Sequence, residues 1–175
     1  NGTLEVGDID QRFEQGSVTA VPLASASVDV VVSFETVEHL TEQRQMLAEL
    51  KRVLRPDGVL VISSPNKTVY SDDRQYTSEF HVKELYFHEF DELLREQFTA
   101  ITYLGQRLAT GSLVLPLQGH GGSYHAITLT GNVPLAQTVA IQDAMYFVAV
   151  CASQMTLLPA AAPSFFLEDG MDLYS

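Results

Sequence analysis

Two β-branched runs on either side of one amphipathic segment constrain the fold of this chain more than any other feature. The first run, residues 28–33, reads VDVVVS, and the second, residues 59–63, reads VLVIS. A run interrupted only by Asp29 is typical of a strand that is buried on both faces in a parallel sheet. The two runs therefore predict neighbouring parallel strands, joined by a right-handed helical crossover.

The segment between the runs has the pattern of an α-helix. Its apolar side chains fall on one helical stripe: Met46, Leu47, Leu50, Val53 and Leu54. Thr41 is expected to cap its N-terminus, and Lys51 and Arg52 near its end match the helix dipole. Pro56-Asp57-Gly58 is expected to end the helix and to turn the chain back into the second strand.

Later segments predict the remaining elements of one α/β domain, which we assign to residues 1–158. A helix is expected near residues 87–97, a strand over 99–104 and the final strand over 145–152. Between them lies a weakly charged excursion, about residues 107–142, which is either a plain connection or a lid or partner surface. Residues 159–175 have the composition of a tail or linker.

Composition narrows the classes of function. With 10 basic and 22 acidic residues the chain carries a net charge of −12, which argues against binding nucleic acid or an anionic membrane surface. No apolar run approaches the roughly 20 residues of a membrane span. Cys151 is the only cysteine. It excludes an intramolecular disulfide and, with no signal peptide in view, favours the cytoplasm. Within its apolar run it is expected to be buried and inert.

Residues 21–66 resemble the second half of class I S-adenosylmethionine-dependent methyltransferases. The matching parts read VPL, DVVVS, VEHL and RVLRPDGVLVIS, in the order and spacing of that family. The resemblance implies a Rossmann-like, doubly wound, mostly parallel sheet with an antiparallel edge strand, and S-adenosyl-L-methionine as cofactor. In the turn before the second run, Asp57 stands where the family more often has glycine. The N-terminal part of the fold is expected to be incomplete, because about one βαβ unit is missing from the pattern.

The same resemblance implies a set of cofactor-binding residues. The loop after the first run would line the methionine half of the cofactor, and the segment before it would approach the adenine. Gly7 would then belong to the glycine-rich motif, or Asp10 would hold the ribose hydroxyls at the end of a strand. The complete set is Gly7, Asp8, Asp10, Gly16, Ser17, Ser33, Phe34 and Glu35.

His81 and His39 are the candidate catalytic bases. Methyl transfer needs alignment of donor and acceptor and removal of at most one proton. His81 follows the second strand, where the family approaches its acceptor, although a surface histidine ahead of a helix is the alternative. His39 either faces the acceptor or braces the helix start. No metal site is expected, since His120 and His125 have no acidic residue close in sequence.

The resemblance implies methyl transfer to a small molecule or sugar, with oxygen as the expected methylated atom. A weaker resemblance of residues 80–86 to methyltransferases of bacterial glycan synthesis favours the glycan type. The alternative is a degenerate methyltransferase fold that acts as a scaffold or as a homodimerisation domain. A nicotinamide-dependent oxidoreductase would need a G-x-G-x-x-G motif, and the sequence has none.

Overall fold

The computed structural model describes residues 12–107, 126–130, 133–137 and 144–160. The two helices are α1 (Gln43–Val53) and α2 (Phe87–Arg95). The strands are β1 (Val28–Ser33), β2 (Leu54–Pro65), β3 (Ala100–Gln106), β4 (Ala126–Thr130), β5 (Val133–Gln137) and β6 (Tyr146–Ala152). Short 3₁₀ turns cover Val37–His39 and Met155–Leu157, and one π-helical turn covers Thr68–Asp72.

The main sheet has four strands in the order β1-β2-β6-β3. β1 and β2 are parallel, as the two β-branched runs predict, and β6 is antiparallel to both β2 and β3. The predicted antiparallel strand is therefore present, but it lies inside the sheet and not at its edge. Cys151 shows why, because this one residue pairs with Leu60 on one side and with Ile101 on the other. β4 and β5 form a separate antiparallel pair.

Both helices pack on the same face of the sheet. α1 contributes Met46 and Leu47 to the core and α2 contributes Phe90, against Leu60 and Ile62 of β2. The sheet residues alternate, so that β2 sends every second side chain into this core. The described ranges thus contain one of the two helical layers of a doubly wound sheet.

The prediction that β1 is buried on both faces is wrong for the described part of the chain. Val31 packs against the core, whereas Val30 is 57% exposed and Val32 is 61% exposed. The reason is the single helical layer, since no described element covers the second face of this strand. The apolar run correctly indicated a strand, but its β-branched residues were no guide to which face is covered.

The ends of α1 differ from the prediction by one or two residues. Glu42, not Thr41, is the residue at the N-cap, and its side chain makes no capping hydrogen bond. The Thr41 hydroxyl instead donates to Glu42 Oε2 over 2.6 Å. The helix ends at Val53 and β2 begins at the next residue, so the Pro-Asp-Gly sequence forms a bulge at the start of that strand. There residues 55–58 stand opposite Asp29 alone.

Gly58 in this bulge has no room for a side chain. A Cβ atom would lie 2.9 Å from the Asp29 carbonyl oxygen and 3.1 Å from the Arg55 carbonyl oxygen, both of which belong to backbone. We expect Gly58→Ala to lower the free energy of unfolding by about 1–3 kcal/mol, because the bulge must open to admit the methyl group. Urea unfolding measures the loss, with Asp57→Ala at the neighbouring exposed position as the control. Equal stability of the two variants would contradict this packing.

Cys151 is buried in the middle of β6 and is free. Burial raises the pKa of its thiol to about 12. The thiolate, which is the reactive form, is therefore suppressed at neutral pH. The prediction of a buried and inert cysteine is confirmed.

Most of the predicted excursion and tail lies outside the described residues. Of the excursion about 107–142, only Arg107 and strands β4 and β5 are described, and of the tail only residues 159 and 160. The assignment of a domain over 1–158 and a tail over 159–175 therefore stays a prediction. None of the described helices has the length and apolar character that crossing a membrane would require.

Candidate functional site

The candidate site lies at the carboxyl ends of β1 and β2, where Ser33 pairs with Ile62 and β2 continues to Pro65. In open α/β sheets this carboxyl edge is where ligands bind. The chain leaves β1 through a short loop into the turn Val37–His39, and leaves β2 into a long connection that leads to α2 at Phe87. Residues 82 and 83 of that connection are hydrogen-bonded to Glu38 in the turn, so the two loops are held together.

The loop after β1 is held in an unusual conformation. Glu35 has a φ of 48°, in the left-handed region that residues with a side chain rarely adopt. Ser63 of β2 fixes it from both sides: the Glu35 amide donates to Ser63 Oγ over 2.9 Å, and Ser63 Oγ donates to Glu35 Oε1 over 2.7 Å. Phe34 beside it is exposed, while Ser33 is half-buried. The predicted cofactor loop is thus ordered by its neighbouring strand.

Backbone hydrogen bonds join the turn after β1 to the connection after β2. The Glu38 carbonyl oxygen accepts from the amides of Val82 and Lys83, over 2.8 and 3.0 Å. The Gln43 side-chain amide donates to the carbonyl oxygens of Val37 and Lys83, both over 2.9 Å. These bonds bring residues 80–83 to Glu38 and His39, although about 40 positions separate them in the sequence.

His39 and His81 meet at this junction, and each has its Nδ1 held by an acceptor. His39 Nδ1 lies 2.7 Å from the Phe80 carbonyl oxygen, which can only accept, so Nδ1 carries the proton. His81 Nδ1 lies 2.5 Å from Glu84 Oε1. The ring centroids are 5.1 Å apart in an edge-to-face arrangement. Both rings therefore keep Nε2 as the nitrogen that can accept a proton or bind a ligand.

The burial of His81 argues against a solvated surface histidine. Its side chain is only 10% exposed, and the Glu84 carboxylate beside it is also held by the Ser71 hydroxyl. A solvated surface histidine does not have such an environment. His39 is held by the Phe80 carbonyl oxygen and also lies against His81, and its role towards an acceptor stays a prediction.

Glu38 is the most unusual residue of the site. It is fully buried, and neither carboxylate oxygen has a hydrogen-bond partner among the described residues. His39 Nε2 lies 3.7 Å from Glu38 Oε1, which is too far for a hydrogen bond. Burial is the main cause that raises the pKa of this carboxyl, with Glu35 adding to it and His39 opposing it. Proteins rarely keep such a group unless it has a use.

We expect Glu38→Gln to raise the stability of the metal-free protein. The substitution keeps the shape of the side chain and removes a buried charge, so the free energy of unfolding should rise by about 1–3 kcal/mol at neutral pH. Urea unfolding measures the change, and a chelator in the buffer removes any divalent metal ion that the carboxylate could bind. Glu42→Gln, at an exposed neighbouring position, is the matched control. A loss of stability in Glu38→Gln would mean that the carboxylate has a strong partner in the folded protein.

Two tyrosines, Tyr70 and Tyr146, form an aromatic wall next to the histidines. Tyr70 lies 5.3 Å from His81 between ring centroids and 5.7 Å from Tyr146 of β6. Burial raises the pKa of both Tyr70 and Tyr146, and neighbouring acidic groups raise it further. An open cleft of about 630 Å³ borders the same wall, lined by Tyr76, His81 and Lys67 among others. The cleft is large enough for a sugar-sized molecule.

The structure describes only two of the other predicted cofactor residues, Gly16 and Ser17. A Cβ atom on Gly16 would lie 2.6 Å from Pro22 Cδ, so this glycine is explained by its contact with Pro22. Ser17 is exposed, and its hydroxyl is 2.8 Å from that of Thr19. Gly7, Asp8 and Asp10 lie outside the described residues, as do His120 and His125. Their roles stay predictions.

Sequence reasoning missed several residues that build the site. Ser63, Glu84 and Gln43 each hold a predicted site residue or its neighbour in place. Glu84 could have been found, because His81-x-x-Glu84 places a carboxylate three positions after the histidine. Ser63 and Gln43 carried no comparable signal, since their partners are distant in sequence.

Comparison with known proteins agrees with this fold. Residues 3–62 match the model of a methyltransferase domain family. A protein of Mycolicibacterium smegmatis, described as a probable S-adenosylmethionine-dependent methyltransferase, is 36% identical over 166 residues, which are 92% of this chain and 62% of that protein. A Mycobacterium tuberculosis H37Rv protein of the same description is 42% identical over 81 residues, covering 46% of this chain and 30% of that protein.

A solved structure shares the architecture. It is a methyltransferase from Thermotoga maritima, described as a possible histamine N-methyltransferase, with a TM-score of 0.54 and 12% identity over 79% of this chain and 62% of that one. The α/β, Rossmann-like fold is thereby confirmed. In sequence the chain is similar to S-adenosylmethionine-dependent methyltransferases, a family whose cofactor is S-adenosylmethionine. It spans less than two thirds of the length of the relatives named here.

Proposed function

We propose that this chain binds S-adenosylmethionine at the carboxyl edge of β1 and β2 and transfers its methyl group to an oxygen of a small or glycan-type acceptor. The observation that carries the proposal is the pair His39 and His81, with Nδ1 of each ring held and Nε2 of each ring left to act. His81 lines an open polar cleft and lies beside an aromatic wall, which suit a hydroxylated acceptor.

The residues of this edge fit the cofactor on one side. Glu35, strained and locked to Ser63, and the exposed Phe34 form a fixed loop end of the kind that lines the methionine portion. Ser33 would complete that loop, and Gly16 and Ser17 would approach the adenine. Gly7, Asp8 and Asp10 are proposed for the glycine-rich motif and the ribose.

The chemistry that the chain must supply is modest. When bound, the cofactor supplies an activated methyl group, and the new oxygen–carbon bond forms as the carbon–sulfur bond breaks with its electron pair left on sulfur. His81 would accept the proton of the acceptor hydroxyl at Nε2, and Glu84 would stabilise the imidazolium that results. Tyr70 and Tyr76 would orient the acceptor. Action in the cytoplasm and assembly as a homodimer belong to the same proposal.

Calorimetric titration with S-adenosylmethionine and S-adenosylhomocysteine tests the proposal. It should be run on this chain and, where the gene encodes further residues, on the full-length product. Micromolar binding that is weakened about tenfold by Phe34→Ala is expected, from the loss of one aromatic contact. Met155→Ala is the control, since Met155 is exposed and follows β6 at the opposite end of the sheet. Absence of binding in every form would overturn the proposal and favour the scaffold alternative.

A further inference from the structure

Glu38, His39 and His81 form a cluster that the general-base role does not fully explain. One potential ligand atom from each residue lies within 4.8 Å of the other two. A base needs one imidazole, whereas this site brings together two imidazoles and a fully buried carboxylate. The carboxylate has no hydrogen-bond partner among the described residues, and its Oε1 lies 3.7 Å from His39 Nε2.

We propose that Glu38, His39 and His81 bind a divalent transition-metal ion, of the Zn²⁺ type, in the methyltransferase site. Two imidazole nitrogens and one carboxylate oxygen are the ligand set of many catalytic zinc sites, which keep a further position open for water or substrate. Among the described residues, this is the only group of three histidine or acidic side chains arranged closely enough to hold an ion.

The hydrogen bonds around the cluster are those that metal-binding histidines require. Such a histidine donates its second ring N–H to a backbone carbonyl or a carboxylate, which fixes the tautomer and aims the other nitrogen at the ion. His39 makes the first kind of bond, to Phe80, and His81 makes the second kind, to Glu84. Ser71 in turn holds Glu84. A general base needs such a hydrogen bond on one imidazole only. Here both imidazoles have one, which fits two metal ligands better than one base.

The distances allow an ion with little movement. Atoms that bind the same Zn²⁺ ion at about 2.0–2.2 Å lie about 3–3.5 Å from one another. The Glu38 Oε1 to His39 Nε2 distance of 3.7 Å is close to that value. The ligand atom of His81 lies within 4.8 Å of the other two, so it would have to approach by at most about 1.8 Å, within reach of changes in its side-chain torsions. An ion would also supply the missing partner of the buried Glu38 carboxylate.

The use of the ion rests on the proposed function. An acceptor hydroxyl that occupied the open coordination position would lose its proton more easily, because a bound cation lowers the pKa of an oxygen ligand. The proton would pass to solvent, and the resulting oxygen anion would take the methyl group. His39 and His81 would then act as ligands, and the acceptor would be a hydroxyl compound and not an amine.

Co²⁺ titration followed by visible absorption tests the site directly, with Zn²⁺ as competitor. We expect one Co²⁺ per chain, displaced by Zn²⁺. Glu38→Gln and His81→Ala should each weaken binding at least about 100-fold, and Glu84→Gln, which removes only the support of His81, about 10-fold or more. His88→Ala, at an exposed histidine of α2, should bind as the parent does. Circular dichroism establishes that each variant is folded.

Two results would overturn the inference: no binding of Co²⁺ or Zn²⁺ by the folded chain, or binding that Glu38→Gln and His81→Ala leave unchanged. The second result would place the ion elsewhere in the chain. S-adenosylhomocysteine binding is measured on the same samples. Cofactor binding without metal binding would remove the metal site alone, whereas metal binding without cofactor binding would remove the methyltransferase proposal and leave the metal site intact.

Discussion

Replacing His81 with alanine is expected to lower the rate of methyl transfer by about 10²–10⁴-fold, with the acceptor that a substrate screen identifies. The ring stands at the cleft with only Nε2 left to act, so its loss removes either the proton acceptor or the metal ligand. Affinity for S-adenosylhomocysteine should change little, because the residues proposed to hold the cofactor follow β1. Steady-state rates and calorimetry measure the two effects separately.

A second substitution distinguishes chemistry from structure at the same position. The side-chain amide of His81→Asn can donate to Glu84 in place of Nδ1, but it has no counterpart of the imidazole Nε2. We expect this variant to keep the stability of the parent and the low rate of the alanine variant. Recovery of the rate by asparagine would show that His81 only supports Glu84. His88→Ala serves as the control, with an unchanged rate.

Replacing Phe90 with alanine is expected to cost about 3–5 kcal/mol of the free energy of unfolding. Phe90 is fully buried on α2, and its ring lies 6.2 Å from that of Phe147 and 6.5 Å from that of Tyr103, measured between centroids. These contacts attach α2 to β6 and β3. A loss of this size is a large part of the 5–15 kcal/mol of a typical domain, so the transition in urea should move to much lower concentration.

If Phe90→Ala does not fold, Phe90→Leu keeps the test measurable, with an expected loss of about 1–1.5 kcal/mol. Phe80→Ala is the control at a ring that is 71% exposed, and it should change stability by less than about 0.5 kcal/mol. Similar stability of Phe90→Ala and Phe80→Ala would mean that α2 does not contribute to the core as described.

The local elements could be predicted from the sequence because their signals are short-range. The stripe from Met46 to Val53 determined α1, and the run around Val31 determined β1, through periodicities that nearby residues alone establish. The position of β6 between β2 and β3 could not be read in this way. It depends on pairing across the whole domain, and an apolar run carries no information about its neighbours.

The candidate site was predictable in part for the same reason. His39 and His81 stood out individually, but their contact depends on the backbone bonds between Glu38 and residues 82 and 83, which no local pattern encodes. The burial of Glu38 was hidden by its acidic side chain, because acidic residues are usually exposed. That its carboxylate has no hydrogen-bond partner within the described part of the chain became visible only in three dimensions.

The place of β6 has a consequence for how the protein is made. β2 pairs directly with a strand that follows about 90 residues later, and β3 pairs with that same strand. During synthesis β1, β2 and β3 therefore leave the ribosome before β6, which lies between β2 and β3 in the sheet, has been made. Until residue 152 has emerged, the inner edges of β2 and β3 are open to pairing with other chains. Sheet closure has to wait until β6 has emerged, and a chain that stops short of β6 should aggregate instead of folding partially.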